Sequence, residues 1–153
     1  MNEAFETAKN KIIGIDRERH GIGTLSEKTV HAILKNYYAP DEDMHEIPIE
    51  NYVADIYTGK EIIEIQTRQF NRMRDKLRAF LPLYPVTIVY PIPRYKWLIW
   101  IDEESGELSA PRKSPAKGTA YQAFKELYKI KMFLGEPEKA KTITFEKWAI
   151  RCL

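Results

Sequence analysis

The sequence predicts an α/β domain in which a mixed central β-sheet is flanked by helices, and three observations predict it. Residues 25–39, 67–81 and 119–134 carry apolar side chains at helical spacing and end at prolines or a glycine. Val53 to Gln66 reads as two strand-like runs joined by a short glycine-bearing link. Val86 to Ile92 and Tyr95 to Ile101 are nearly continuous apolar runs, the mark of central strands covered on both faces.

The totals agree with one folded unit spanning residues 1–153. A chain of 153 residues buries roughly two-thirds of its unfolded surface, enough for a single core. Its 44% hydrophobic and 12% aromatic content argues against disorder. No apolar run approaches the ~20 residues that cross a bilayer, so the expectation is no membrane partner and a soluble protein. The start, MNEAFETAKNK, lacks the apolar stretch of a secretion signal, and Cys152, the single cysteine, allows neither an intramolecular disulfide nor a cysteine-based zinc site. A reducing cytoplasm fits. The net charge of +2 is unevenly spread: acids gather at 41–50 and 102–107, bases at 68–78 and 112–131, which allows a local basic surface.

Taking the chain in order, residues 2–13 form a weak helix anchored by Phe5, Ile12 and Ile13. Gly14, Gly21 and Gly23 break it and leave Asp16 to His20 as a solvated turn. Ser26 then caps a helix, stapled by Leu25 and Val30, in which Val30, Ile33, Leu34 and Tyr37 share a face until Pro40. Taken by itself, Glu27 in its first turn stabilises the macrodipole by ~0.5 kcal/mol, and His31 is a partly buried surface residue. Asp41-Glu42-Asp43 is an acidic turn without the alternating ligands and glycine of a calcium loop. Met44 to Tyr52 reads as a first strand, edged at Pro48, with His45 and Glu46 a surface pair at its end.

The hairpin comes next. Asp55 lies among Val53, Ala54, Ile56 and Tyr57, and Glu64 among Ile62, Ile63 and Ile65, where an uncompensated charge is costly. A two-residue loop, either Thr58-Gly59 or Gly59-Lys60, puts both acids on one face, diagonal in the first register and directly opposite in the second. A three-residue loop puts them on opposite faces. Two carboxylates forced together are relieved by a shared proton or a divalent cation, and hard oxygen donors suit Mg²⁺ or Mn²⁺. The plain alternative is a solvated face of an edge hairpin.

Thr67 caps a helix whose Phe70, Met73, Leu77 and Phe80 form one stripe up to Pro82, while Arg68, Arg72, Arg74, Lys76 and Arg78 line the wet side. Its start, just past Glu64 and Gln66, sets some of that charge beside any phosphate bound there. After the two apolar strands, in which Trp97 and Trp100 read as core or rim packing, Glu103 to Gly106 turns into a short strand, Glu107 to Ala110. Pro111 to Gly118 is a basic loop leading to a helix from Thr119 to Leu134. That helix buries Tyr121, Phe124, Leu127, Tyr128 and Met132 and turns Lys125, Lys129 and Lys131 outward; Gly135 and Pro137 stop it. Ile143 and Phe145 suggest a last edge strand.

This order resembles the core of the PD-(D/E)XK nuclease superfamily, the restriction-endonuclease-like and Holliday-junction-resolvase-like enzymes, over roughly Leu25 to Tyr90, with 119–134 a later helix (core about 25–134). The resemblance implies a restriction-endonuclease-like core in which Glu27, Asp55 and Glu64 hold one or two Mg²⁺, with the Ile65 carbonyl as a further ligand. Ala54 stands where the family has proline before the aspartate. Gln66 stands where it has lysine, giving Glu-x-Gln, a variant that some active restriction enzymes of the superfamily use. Glutamine offers hydrogen bonds but no charge, and Lys60 or Arg72 is a nearby source of it.

The expected function is a Mg²⁺-dependent (or Mn²⁺-dependent) nuclease hydrolysing phosphodiester bonds in DNA. Asp55, Glu64 and Glu27 would serve the metal, Gln66 would orient the attacking water, and Arg68, Arg72, Lys113 and Lys117 would hold the nucleic acid. Its first alternative is a catalytically inactive nucleic-acid-binding or interaction module of the same fold. Another is a metal enzyme acting on a small phosphorylated substrate in a closed pocket. The sequence sets no oligomeric state and leaves room for a homodimer.

Overall fold

A computed structural model describes residues 3–20, 27–95, 97–98, 100, 102, 104–107, 109–115, 118–119, 121–134 and 143–151; for 15–20, 27, 93–95, 97 and 143–151 it describes the backbone alone. The architecture is a mixed α/β sheet with helices on both faces. The main sheet has five strands in the order β1 (His45–Ile49), β2 (Tyr52–Tyr57), β3 (Ile62–Ile65), β4 (Val86–Tyr95) and β7 (Ile143–Arg151). β1, β2 and β3 form an antiparallel meander, whereas β3 with β4, and β4 with β7, run parallel. A parallel neighbour needs a crossover, and α3 (Arg74–Phe80), entered through a 3-10 turn at Phe70–Met73, supplies the one between β3 and β4.

Alternation along the central strands divides the core into two layers. On one side, Ile63, Ile65 and Val89 pack with Phe5 and Ala8 of α1 (Glu3–His20) and Ile33 and Leu34 of α2 (Glu27–Tyr38). On the other, Ile62, Val86 and Ile88 pack with Phe70, Met73, Leu77 and Phe80, and with Ala123 of α4 (Tyr121–Tyr128) and Ile130. The four-residue stripe expected after β3 is therefore buried as a unit, although the helical stretch opens as a 3-10 turn at Phe70, with Gln69 and not Thr67 at the cap position, and becomes α-helical only at Arg74. No helix among the described residues is long and apolar enough to cross a membrane.

Five expectations need correction. Met44 to Tyr52 is not one strand: β1 ends at Ile49, and after a turn at Glu50-Asn51 Tyr52 already belongs to β2 and pairs back with Ile49. α1 runs through Gly14 to His20, so the DRERH segment is helical; Gly14 is exposed, and a glycine inside a helix costs only about 1 kcal/mol relative to alanine. Among its described residues, Tyr95 to Ile101 gives the main sheet no second strand: Tyr95 ends β4, and β5 (Trp97–Leu98) pairs with β6 (Arg112–Lys113) in a separate ribbon, with Leu98 and Trp100 exposed. Glu107 to Ala110 forms no strand among its described residues; the N–H of Asp102 donates to the carbonyl of Glu107, closing a turn at Gly106 (φ +70°). The last helix is shorter than expected and rotated. Ala123, Leu127 and Ile130 face the core, whereas Tyr121, Phe124, Tyr128 and Met132 are exposed. Ser26 and Lys117 lie outside the described residues.

Candidate functional site

The hairpin between β2 and β3 sets the geometry. Gly59 takes φ +83°, a conformation that glycine adopts at little cost, and the Thr58 N–H donates to the Glu61 carbonyl at 3.1 Å, closing a Gly59-Lys60 loop. Pairing follows as Tyr57 with Ile62 and Ile56 with Ile63, which is the register that sets Asp55 directly opposite Glu64. There the backbone ladder stops. β2 continues with β1, where Ala54 pairs with Ile47, and β3 continues with β4, where the Gln66 N–H donates to Val89.

Side chains bridge the gap where the strands part. The Asp55 N–H donates to Glu64 Oε1 at 3.1 Å, and the Ile65 N–H donates to Asp55 Oδ2 at 2.8 Å. Each carboxylate thus accepts a peptide N–H from the opposite strand. This refines the expected arrangement: the acids lie in the opening between the strands instead of standing side by side on one face. A strand residue projects its N–H and C=O to the same side, so the Ile65 carbonyl borders that opening as well.

Each helical layer contributes one basic group. His31 Nε2 from α2 lies 3.1 Å from Asp55 Oδ2, and Lys76 Nζ from α3 lies 2.6 Å from Glu64 Oε2. Burial drives Asp55 upward, but the hydrogen bond and charge of His31, the Ile65 N–H and the charge of Lys76 together hold it below the usual carboxylate range. Glu64, only 2% exposed, is pushed up to about 7 by burial and by the negative charge of Asp55, against the opposing pull of Lys76. One acid is thus firmly ionised and the other keeps its proton close to neutrality, a split characteristic of functional carboxylate pairs.

The sequence-predicted residues fare unequally. Asp55, Glu64 and Ile65 come together. Gln66 follows the end of β3, but its side-chain amide donates to the carbonyl of Arg68 and so is turned along its own chain. Glu27 opens α2 one turn before His31, and its side chain lies outside the described residues. Arg68 and Arg72 are exposed just beyond β3, and Lys113 is exposed on β6.

Sequence reasoning missed two partners. Lys76 was grouped with the wet face of its helix, and Lys60 or Arg72 was expected to supply the charge. Yet Met73, Lys76, Leu77 and Phe80 are spaced i, i+3, i+4, i+7, so a cation stands within the buried stripe, and that was the available signal. His31 borders Ile33 and Leu34 on the buried side of α2, where its residue type alone fails to separate packing from function.

The donor set suits a hard divalent ion: two carboxylates and a carbonyl, with the remaining positions left to water, as Mg²⁺ prefers. Among the described residues no group of three or more His, Cys, Asp and Glu side chains is arranged to hold a metal. A protein-only cage is therefore not what these residues offer. The raised Glu64 marks a spot short of positive charge, which a cation would supply.

The family model described as "Domain of unknown function (DUF8091)" matches residues 28–148, a span that includes His31, Asp55, Glu64 and Lys76 and begins just after Glu27. An "Uncharacterized protein" of Treponema pallidum (strain Nichols) is 30% identical over 110 residues, covering 71% of this chain and 43% of that protein. The chain thus spans less than half the length of this relative. No solved structure matches the chain.

Proposed function

The chain belongs to the DUF8091 family, and we propose that it is a divalent-metal-dependent nuclease, of the PD-(D/E)XK kind, hydrolysing phosphodiester bonds in DNA. The observation that carries this reading is the meeting of Asp55 and Glu64 in the opening between two strands, with Lys76 on Glu64. The element order supports it: a helix, three antiparallel strands, a crossover helix and a parallel strand, which is the restriction-endonuclease-like order.

In this reading Asp55 and Glu64 hold Mg²⁺ or Mn²⁺, with the Ile65 carbonyl beside them and Glu27 assisting from α2. When bound, the cation supplies positive charge to the phosphate and makes an attacking water more acidic. His31 keeps Asp55 ionised and oriented. Lys76 gives the positive charge that Glu-x-Gln lacks, and supplies it from a neighbouring helix; as the developing phosphorane gains charge, an ammonium beside Glu64 stabilises it. Gln66 orients the water once its amide leaves the Arg68 carbonyl. Arg68, Arg72, Lys113 and Lys117 neutralise the nucleic-acid backbone. A cytoplasmic location accompanies this reading.

One observation favours a second reading. The Gln66 amide is committed to the Arg68 carbonyl, as it would be in a catalytically inactive nucleic-acid-binding module. Such a module binds with strong salt dependence and shows no turnover. Incubation with labelled single-stranded and duplex DNA and RNA in Mg²⁺, Mn²⁺ or EDTA, beside Asp55→Ala, separates the two. Cleavage that needs metal and Asp55 supports the nuclease; metal-independent retention without cleavage supports the module.

A further inference from the structure

We infer that the outer face of α4 is a stacking platform for single-stranded nucleic acid, an inference that rests on the proposed nucleic-acid substrate and specifies its strandedness. Three aromatic side chains stand on this face at helical spacing: Tyr121, Phe124 and Tyr128, exposed to 77%, 65% and 67%. Residues i, i+3 and i+7 form one stripe, and it lies opposite the side by which Ala123, Leu127 and Ile130 enter the core. The helix is anchored without these rings, which leaves them available to a partner. The rings of Tyr121 and Phe124 lie 6.4 Å apart between centroids and are tilted by 42°, so each presents a face of its own.

Charge identifies the partner. Lys125 is exposed between Phe124 and Tyr128, and Lys131 Nζ sits 4.3 Å from the centroid of the Tyr128 ring. The acid of this helix, Glu126, is mostly buried and already taken: it accepts the Phe70 N–H at 2.9 Å and pairs with Lys129 at 2.5 Å. The outward charge of the helix is therefore positive and interleaved with aromatic rings. That is the chemistry of a phosphodiester backbone whose unpaired bases stack on side chains. A second copy of the chain fits less well, because an isologous contact through this stripe would bring lysines of like charge together. Duplex DNA fits less well too, since its bases are stacked within the helix and offer no free faces to the rings.

Placement ties the platform to the carboxylates. Glu126 holds the N-terminus of the 3-10 turn that leads into α3, and Arg74 Nε donates to the Lys129 carbonyl at 2.8 Å. α4 is therefore clamped to the 3-10 turn and to the short helix that carries Lys76.

The test measures fluorescence anisotropy of a labelled oligothymidylate and of a labelled duplex, in EDTA, so that no cleavage enters the result. The proteins are the full chain, Tyr121→Ala/Phe124→Ala/Tyr128→Ala, and the ring-preserving Tyr121→Phe/Tyr128→Phe. The expected result is preference for the oligothymidylate, a loss on the order of tenfold or more in the triple alanine variant, and near-full binding in the ring-preserving one. Circular dichroism should be the same for all three. Unchanged affinity in the triple variant overturns the inference, as does preference for the duplex. A dimer in the full chain that becomes a monomer in the triple variant, seen by sedimentation, also overturns it and assigns the face to self-association. Metal-dependent cleavage is assayed separately: if it survives while the binding preference fails, only this inference falls.

Discussion

Asp55 and Glu64 exchange hydrogen bonds across the gap between β2 and β3: the amide of Asp55 donates to the Glu64 carboxylate, and the amide following Glu64 donates to the Asp55 carboxylate. The second bond stands where the Ile65 amide would have met the backbone of Ala54 in the next pair of the hairpin. The same carboxylates thus end the strand pairing and line the opening it leaves, so altering either has a structural and a chemical consequence that must be read separately.

Asp55→Asn and Glu64→Gln keep side-chain size and remove the negative charge, each exchanging one acceptor oxygen for an NH2 donor. Each should retain the far-ultraviolet circular dichroism of the parent and lose metal-dependent cleavage of labelled DNA to the EDTA background. Wild-type cleavage rates in both variants would rule out the metal mechanism.

The two acids give opposite pH signatures. Glu64 titrates at about 7 in the fold against an ordinary 4.5, so the native state holds a proton that the unfolded chain has already released. Its stabilising contribution is complete below the ordinary value and is lost as pH rises through about 7. Asp55 is lowered, so its contribution is present above the ordinary 3.8 and disappears as pH falls through its lowered value. Thermal melts across pH should show Glu64→Gln gaining relative to the parent toward neutral pH, by about 1–3 kcal/mol. A constant difference from pH 4 to 8 would contradict it. Mg²⁺ must displace the Glu64 proton, so calorimetry in buffers of different ionisation enthalpy should detect proton release that fades above about pH 7.

Lys76→Met keeps the apolar stem and removes the ammonium, which lies 2.6 Å from Glu64 Oε2 and 5.7 Å from the Phe80 ring centroid. Glu64 should then titrate higher still, and cleavage should fall. In a double-mutant cycle, Lys76→Met and Glu64→Gln should couple by about 1–3 kcal/mol in urea unfolding. Additive effects would show that the pair acts independently.

Glu126→Ala leaves the Phe70 N–H without its carboxylate and frees Lys129. The expected loss is about 2 kcal/mol, read as a lower urea midpoint at unchanged slope. An unchanged midpoint would mean that the clamp between α4 and the turn contributes little to stability.

Much of this was legible in the residues, and what was not has physical reasons. Phe70, Met73, Leu77 and Phe80 announced their helix because burial and periodicity coincide there. Gly59 announced the hairpin because few residues accept its backbone angle, but glycine suits either two-residue loop, and only the Thr58–Glu61 hydrogen bond selects Gly59-Lys60 and its register. Tyr121, Phe124 and Tyr128 misled, since large rings outweigh Ala123 in any pattern although the alanine is the one inside. Tyr95 to Ile101 misled for a related reason: apolar runs do not reveal which sheet they join, and both neighbours of β4 in the main sheet are other segments, β3 and β7. Lys76 escaped notice because a cation on a cation-rich helix looks ordinary until its partner, twelve residues back, is known to be buried.

β7 reaches its place beside β4 only after everything from β5 through the last 3-10 turn has been made. While a nascent chain is emerging, the outer edge of β4 therefore stays unzipped, with bare amides and carbonyls along an apolar strand. Such an edge recruits other chains, and its closure waits on a contact distant in sequence, which slows folding. Yield on expression should consequently depend on the final strand.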